Sequence, residues 1–106
     1  MSSRSQRAAA LAASHDPRVI VQSDDFAATA SVTVCLLTSH GLNAPLLRLR
    51  LVPDAGNGLA VSSWIMVDKI MTAPRAKIGR RIGSLSSADL LRLTRALAVL
   101  LGIASA

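Results

Sequence analysis

The β-strand pattern of this chain is centred on the segment Ser31-Val-Thr-Val-Cys-Leu-Leu-Thr38. It begins with strict alternation of polar and apolar residues and then becomes apolar at successive positions, which indicates a β-strand that is apolar on both faces. Upstream, the β-branched run Val19-Ile20-Val21 ends at a polar cluster and has the same character. The two runs predict adjacent strands. Cys35 has apolar neighbours, so we expect its thiol to be buried and to pack as a small hydrophobe.

Three more short strands are predicted downstream of this pair. In residues 46–52 leucines alternate with Arg48 and Arg50, which places both arginines on one face of a strand. A turn cluster rich in Pro, Asp, Gly and Asn then precedes two further strand candidates, residues 59–61 and 64–67.

The spacing of apolar residues changes to a helical period near the C-terminus. Ser86 followed three residues later by Asp89 is similar to a capping box, and Gly102 is placed to end the helix. We predict a helix over residues 87–101 that packs its leucines on the sheet. Residues 76–85 are predicted to lead to it as a loop and a short strand.

The composition limits the organisation of the chain. With 106 residues, 51% of them apolar and 17% charged, the chain is expected to form one compact domain. The N-terminal segment is rich in alanine, the best helix former, so a weak helix is expected over residues 1–14. The alternatives are that this segment is disordered, or that residues 8–13 cover an exposed edge of the sheet. We therefore divide the chain into an atypical Ala-rich segment, residues 1–15, and an α+β, mainly β, domain, residues 16–106.

No segment predicts membrane insertion or export. The longest apolar run is far shorter than the roughly 18 to 20 residues that a spanning helix needs. The alanines that follow Arg4 and Arg7 are fewer than the apolar core of about 7 to 15 residues in a secretion signal. We expect a cytoplasmic protein.

The positive charge is concentrated in the middle of the chain. The formal net charge is +6, and residues 44–81 carry seven basic and two acidic side chains, a local balance of +5. Such a concentration attracts polyanions, with RNA or DNA first among them, or an acidic protein segment. The alternative is a solvated face that keeps a small protein soluble.

Several kinds of site have little support. His15 and His40 are 25 residues apart and have no partner at metal-ligand spacing, and no Gly-rich phosphate loop follows a strand. Asp24 with Asp25, and Cys35 with His40, are weak candidates for paired catalytic groups, because a turn and a buried thiol explain them better. We expect no metal and no cofactor.

A polar strand end beside positive charge remains as a candidate phosphodiester site. Thr38, Ser39 and His40 end the predicted strand, and Arg18 lies on the neighbouring strand. RNA can be cleaved without a metal because its own 2′-hydroxyl is the nucleophile, and a guanidinium can hold the phosphate and stabilise its developing charge. The alternative is that Thr38 and Ser39 only end a strand.

The sequence resembles the MazF/PemK family of toxins from toxin-antitoxin modules. The resemblance covers residues 17–103 in ordered pieces. The pieces are Val21-Gln22-Ser23-Asp24-Asp25-Phe26, Val32 to Thr38-Ser39, Ala44-Pro45-Leu46 before Arg48-Leu49-Arg50-Leu51, Gly58-Leu59 before Ser63-Trp64-Ile65-Met66-Val67-Asp68-Lys69-Ile70, and Ile78-Gly79-Arg80-Arg81-Ile82-Gly83-Ser84-Leu85-Ser86.

The resemblance implies an SH3-like small barrel of the MazF/PemK/CcdB type with a C-terminal helix. It also implies a homodimer, metal-independent cleavage of single-stranded RNA, and an antitoxin whose acidic tail covers the RNA groove. Thr38 matches the functional threonine of the family. The catalytic residues expected on this basis are Thr38 and Arg18, and the expected RNA-binding residues are Ser39, Arg48, Arg50, Lys69, Arg80 and Arg81.

The sequence departs from the family pattern in two places. Residues 1–15 contain no recognisable Gly-Asp start, alternating first strand or mobile loop. The arginine of the family's Arg-Pro pair aligns with Asp16, which is followed by Pro17, and Arg18 lies two positions further on. These departures leave a catalytically impaired member, which only dimerises and binds its antitoxin, as an alternative to an active nuclease. A toxin directed at DNA gyrase is a further alternative, because the related gyrase-directed toxins share this fold class.

Overall fold

The computed structural model describes residues 9–13, 16–41, 43–44 and 46–105, which form one curled antiparallel sheet and one helix. The sheet has six strands in the order β4-β5-β3-β2-β1-β6. The elements are β1 (Ala10–Ala13), β2 (Pro17–Ile20), β3 (Ser31–Thr38), β4 (Arg48–Leu51), β5 (Ser63–Pro74), β6 (Arg80–Ser84) and α1 (Ser87–Leu100). The predicted α+β, mainly β, fold with a small open barrel and a C-terminal helix is confirmed. In this described part of the chain, no helix is both long and apolar enough to cross a membrane.

The curl of the sheet comes from an irregularity in β5. Cys35 on β3 pairs with Ile70, whereas Leu37, only two residues later, pairs with Ile65. The surplus residues on β5 form a bulge, and bulges bend a strand and increase its twist. The two halves of β5 can therefore follow a curved sheet while both remain paired with β3.

One face of the sheet, called here the helix-covered face, packs against α1. Its side chains come from alternate residues of the strands and are almost completely inaccessible to solvent. They include Val19, Cys35, Leu37, Ile65 and Val67, packed with Leu93 of α1. Burial of one such side chain contributes about 1.5 to 3 kcal/mol, so this face supplies most of the stability of the domain.

The start of α1 agrees with the sequence prediction, and its last residue, Leu100, lies one position before the predicted end. The Ser86 hydroxyl accepts a hydrogen bond from the Asp89 backbone N–H (3.1 Å), so the predicted N-cap is confirmed. At the other end the Ile103 N–H donates to the Ala98 carbonyl (2.8 Å), and Gly102 has φ +77°. This is a Schellman ending, and it needs the left-handed conformation that glycine adopts without strain.

The opposite face, called here the cavity face, carries the other set of alternate residues. At one end it is closed by a small apolar cluster. The cluster consists of Ala12, Val32, Val34, Ala73 and Ile78. At the other end the same face carries Arg18, Leu36 and Thr38, and there it opens into a cavity.

The loop after β4 packs against β6. The buried Asn57 side chain accepts hydrogen bonds from two backbone N–H groups and donates one to the Val52 carbonyl. Gly83 on β6 lies so close to this loop that a Cβ there would be 2.4 Å from the Asn57 carbonyl carbon. Glycine is therefore required where the two backbones meet.

Two sequence predictions were wrong, and a third gave a strand that is too short. The weak helix expected over residues 1–14 is replaced in residues 10–13 by β1, which pairs with both β2 and β6; residues 1–8 and 14 lie outside the described part. The strand expected at residues 59–61 is absent, because the Leu59 N–H is held in a turn by the Asn57 side chain. The short strand expected at residues 64–67 is part of the 12-residue β5.

Candidate active site

A cavity of about 660 Å³ lies at the open end of the cavity face, and we call it the site cavity. Its polar lining consists of Asp16, Arg18, Thr38, Ser39, His40 and Ser63. Its apolar lining consists of Pro17, Leu36, Leu37, Val61, Met66 and Met71. A charged end beside an apolar wall is the arrangement that suits a ligand with a phosphate and a flat or apolar body.

Arg18 and Thr38 reach this cavity because of the register between β2 and β3. Arg18 pairs with Leu36, so its side chain lies on the same face as Thr38, two residues further along β3. Diagonal neighbours of this kind have Cα atoms roughly 7 to 8 Å apart. A phosphate group placed between them can contact both side chains.

The guanidinium of Arg18 has an unused donor. Its Nε is buried and makes no hydrogen bond to any described residue. An unsatisfied buried donor costs about 1 to 3 kcal/mol, and such groups occur where a ligand or ion completes the set. A phosphate oxygen is the kind of acceptor that would satisfy it.

Thr38 ends β3 and organises the turn that follows. Its side chain is half-buried, and its Oγ1 accepts a hydrogen bond from the His40 backbone N–H at 3.1 Å. This bond fixes the hydroxyl and holds Ser39 and His40 beside the cavity. Thr38 faces away from the helix-covered core that its neighbour Leu37 joins.

The expectation of a buried Cys35 thiol is confirmed. Cys35 lies on the helix-covered face, so it does not share a surface with His40, which borders the site cavity. Burial, and secondarily the negative charge of Asp68, raises the pKa of Cys35 to about 11. A thiol that stays protonated at neutral pH is a poor nucleophile, so the structure does not support the Cys35–His40 pair.

The other weak candidates are also accounted for. Asp24 and Asp25 belong to a single turn of 3₁₀ helix, Asp24–Phe26, in which the Asp25 N–H donates to the Ser23 hydroxyl. His15 lies outside the described residues. Within the described part of the chain, no group of three or more His, Cys, Asp or Glu side chains lies together.

Arg48 and Arg50 lie on one face of β4, as predicted; it is the cavity face, and both side chains have partners there. Arg48 forms an ion pair with Asp68, and only 10% of its side chain is exposed. Arg50 is exposed, and its guanidinium lies over the ring of Trp64, 5.7 Å from the centroid. Trp64 pairs with both Arg50 and Thr38, so these three residues form one row across β4, β5 and β3.

The remaining predicted residues are dispersed. Ser39 borders the site cavity, and Lys69 is exposed on the bulged part of β5. Arg80 and Arg81 lie on β6, at the opposite edge of the sheet from β4. Arg81 donates a hydrogen bond to the Ser84 hydroxyl. The fold therefore brings Arg18, Thr38 and Ser39 into one cavity, and it places Lys69, Arg80 and Arg81 elsewhere.

Sequence reasoning missed several residues of this cavity. Asp16 entered the sequence analysis only as a departure from a family pattern, yet it borders the cavity. Met66 and Met71 form part of the apolar wall. Their strand was read as a short segment, and only the full length of β5, paired with Val34 at Met71, indicates that both face the cavity.

The fold agrees with a comparison against known families. Residues 6–101 match the family of PemK-like, MazF-like toxins of type II toxin-antitoxin systems. The chain therefore belongs to this family. The match begins before β1, so the strand that the sequence analysis did not predict lies within the matched region.

Comparisons with individual proteins also find members of this family. The chain is 48% identical over 88 residues to the probable endoribonuclease MazF of Mycolicibacterium smegmatis, covering 83% of this chain and 81% of that protein. Its fold is similar to that of the Mycobacterium tuberculosis toxin MazF-mt6, with a TM-score of 0.73 and 22% identity over 92% of this chain and 97% of that one. A MazE-MazF structure from Deinococcus radiodurans gives a TM-score of 0.74 with 18% identity, covering 93% and 97% of the two chains.

Proposed function

We propose that this protein is the toxin of a type II toxin-antitoxin module and acts as a metal-independent endoribonuclease on single-stranded RNA. The observation that carries the proposal is that Arg18, with a buried and unused Nε, shares one cavity with Thr38. The family match and the relative named a probable endoribonuclease support the same activity.

The geometry supports a division of tasks between the two side chains. The Arg18 guanidinium holds non-bridging oxygens of one phosphate and stabilises the charge that develops on them. The Thr38 hydroxyl donates a second hydrogen bond to the same phosphate, because its oxygen already accepts from the His40 N–H. With the phosphate held, the adjacent ribose 2′-oxygen attacks phosphorus and the 5′-oxygen leaves, giving a 2′,3′-cyclic phosphate and a 5′-hydroxyl.

The site cavity also accounts for a preference for single strands. Its apolar wall of Leu36, Val61, Met66 and Met71 can contact a ribose or base only when that nucleotide is free of a duplex. Arg50, exposed over Trp64 in the row that includes Thr38, extends the positive surface from the cavity along the sheet. RNA crossing this face would meet both.

The proposed assembly is a homodimer that an antitoxin inhibits. Apolar residues are exposed between α1 and the segment before β4, where Leu46 is 58% and Leu100 40% exposed. Coverage of these side chains by a second copy is favourable. The +6 chain would bind the acidic, initially disordered tail of an antitoxin over the surface that binds RNA. The MazE-MazF complexes among the structural neighbours support an antitoxin partner.

Cleavage of single-stranded RNA in the presence of EDTA tests the activity. Thr38→Val keeps the shape of the side chain and removes the hydroxyl, and we expect a loss of about 10²- to 10³-fold, the usual effect of removing one donor to a transition-state oxyanion. Thr33→Val is the matched control, because Thr33 lies on the same strand but on the other face and outside the cavity. Intact RNA after long incubation at high enzyme concentration contradicts the proposal.

A second candidate is a catalytically impaired toxin that only dimerises and captures its antitoxin. The observation in its favour is Asp16 at the position of the family arginine, beside the phosphate-binding residues. This candidate predicts capture of the antitoxin encoded next to it, no RNA cleavage, and a gain of cleavage in Asp16→Arg. Cleavage by the unmodified protein, or failure to capture that antitoxin, rejects it.

A further inference from the structure

We propose that Asp16 and His40 are the proton-transfer pair of the site cavity, with Asp16 as the base and His40 as the acid. This inference rests on the proposed endoribonuclease function. It assigns roles to two residues that the tasks of Arg18 and Thr38 leave unused. It also gives a physical reason for a carboxylate at a position where it would otherwise repel the phosphate.

The first argument is the chemistry of the cavity lining. Cleavage of a phosphodiester through its 2′-hydroxyl needs one group that accepts the hydroxyl proton and one that protonates the leaving 5′-oxygen. Arginine remains protonated in proteins, and the hydroxyls of Thr38, Ser39 and Ser63 are weak acids and weaker bases. Among the described residues that line the cavity, only Asp16 and His40 carry a carboxyl group or an imidazole, the kinds of side chain that act as general bases and acids in enzymes.

The second argument is their placement around Thr38. Asp16 lies two residues before Arg18, which pairs with Leu36, and both Asp16 and Thr38 line the site cavity. His40 follows Thr38 by two residues, and its backbone N–H donates to the Thr38 hydroxyl. A phosphate held by Thr38 and Arg18 therefore shares one cavity with a carboxylate and an imidazole. An in-line displacement needs its base and its acid on opposite sides of phosphorus.

The proposed step conserves atoms and charge. The 2′-hydroxyl gives its proton to the Asp16 carboxylate while its oxygen forms a bond to phosphorus. The bond from phosphorus to the 5′-oxygen breaks, the electron pair goes to that oxygen, and the His40 imidazolium gives it a proton. The products are the 2′,3′-cyclic phosphate and the 5′-hydroxyl, with Asp16 protonated and His40 neutral. Exchange with solvent restores both groups.

The test compares two RNA substrates with the same sequence. One has an ordinary phosphodiester, and in the other a sulfur replaces the bridging 5′-oxygen at the cleavage site. A thiolate leaves without being protonated, so the sulfur substrate does not need the acid. The unmodified protein and its Asp16→Asn, Asp16→Glu and His40→Gln variants are assayed on both substrates, with melting temperatures measured to establish that each variant is folded.

We expect His40→Gln to lose about 10²- to 10⁴-fold on the ordinary RNA, the usual contribution of acid–base catalysis, and to recover most of this loss on the sulfur substrate. Asp16→Asn should lose a similar factor on both substrates, and Asp16→Glu should retain more activity than Asp16→Asn. Asp25→Asn is the matched control, because Asp25 is exposed and lies outside the cavity. We expect it to behave as the unmodified protein.

Three results would overturn the assignment while the proposed function survives. They are full activity in His40→Gln, an equal loss in His40→Gln on both substrates, and an increase of activity in Asp16→Asn. The last result would mean that the carboxylate only repels RNA. If the unmodified protein cleaves neither substrate, the proposed function itself fails, and the pair is rejected with it.

Discussion

The helix-covered face and the cavity face of the sheet are built from alternate residues of the same strands, yet one forms the core and the other lines the site cavity. Val19 is completely buried against the core, whereas the preceding residue, Arg18, has a buried Nε that makes no hydrogen bond within the described part of the chain. Leu37 joins the core, and the next residue, Thr38, borders the site cavity. Side-chain direction in a strand changes at every residue, so stability and chemistry can be assigned to neighbouring positions.

The two faces differ in whether their buried groups have packing or hydrogen-bond partners within the protein. On the helix-covered face the buried side chains pack against one another, and the thiol of Cys35 is kept neutral by burial. On the cavity face the buried Nε of Arg18 makes no hydrogen bond to any residue that the structure describes. Unsatisfied groups of this kind reduce stability and are retained where a ligand completes them. Substitutions on one face should therefore change folding, and substitutions on the other should change activity.

The largest expected effect is on the helix-covered face. Leu93 is fully buried at the contact between α1 and the sheet, so Leu93→Ala leaves a cavity in the centre of the core. We expect a loss of about 2 to 5 kcal/mol in the free energy of unfolding, measured by urea denaturation. The exposed neighbour Thr94 is the control, and Thr94→Ala should change stability by less than about 0.5 kcal/mol. A loss in Leu93→Ala as small as that of the control would mean that α1 is not the main cover of the sheet.

The next largest effect is a contrast between substitutions at two adjacent residues of β2, Arg18 and Val19. Arg18→Met removes the unsatisfied Nε and the charge, and we expect cleavage to fall about 100-fold or more while the melting temperature stays the same or rises. Val19→Ala should do the reverse. It should lower the free energy of unfolding by about 2 kcal/mol and leave the activity of the folded protein unchanged. If Arg18→Met destabilises the protein as much as Val19→Ala does, the guanidinium has a structural role and the contrast between the faces is wrong.

The sequence predicted those elements whose burial imposes a clear period. β3, the arginine-bearing strand β4 and the capped helix α1 were predicted because alternation, helical spacing and the pair Ser86 and Asp89 are local signals. β1 was not predicted. Its four residues, three of them alanine, have no alternation, and they become a strand only because β2 and β6 offer backbone partners on both sides. Pairing with distant strands overrides the helix preference of alanine.

The sequence predicted the site residues that a single strand pattern reveals, but not the contacts that depend on pairing between strands. Thr38 and Arg18 were chosen from a strand end, a nearby charge and a family resemblance, and the register places them in one cavity. The ion pair between Arg48 and Asp68 was not predictable, because it joins β4 to the bulge of β5. The same bulge sets which residues of β5 face the cavity, and no local pattern in the sequence encodes its position.

The smallest effect concerns Cys35, a buried ionisable group on the helix-covered face. Its pKa is raised to about 11 in the folded state, from an ordinary value near 9, so the folded protein retains a proton that the unfolded chain releases. Since the folded state binds more protons in this interval, stability should fall as the pH rises from about 9 to about 11 and be insensitive to this group below that range. The loss should reach about 2 kcal/mol near pH 11. Urea denaturation of the unmodified protein and of Cys35→Ala over this range measures it, because the lysines contribute equally to both. Parallel pH curves for the two proteins would mean that the thiol ionises freely in the fold, and that the helix-covered face is less closed than its packing indicates.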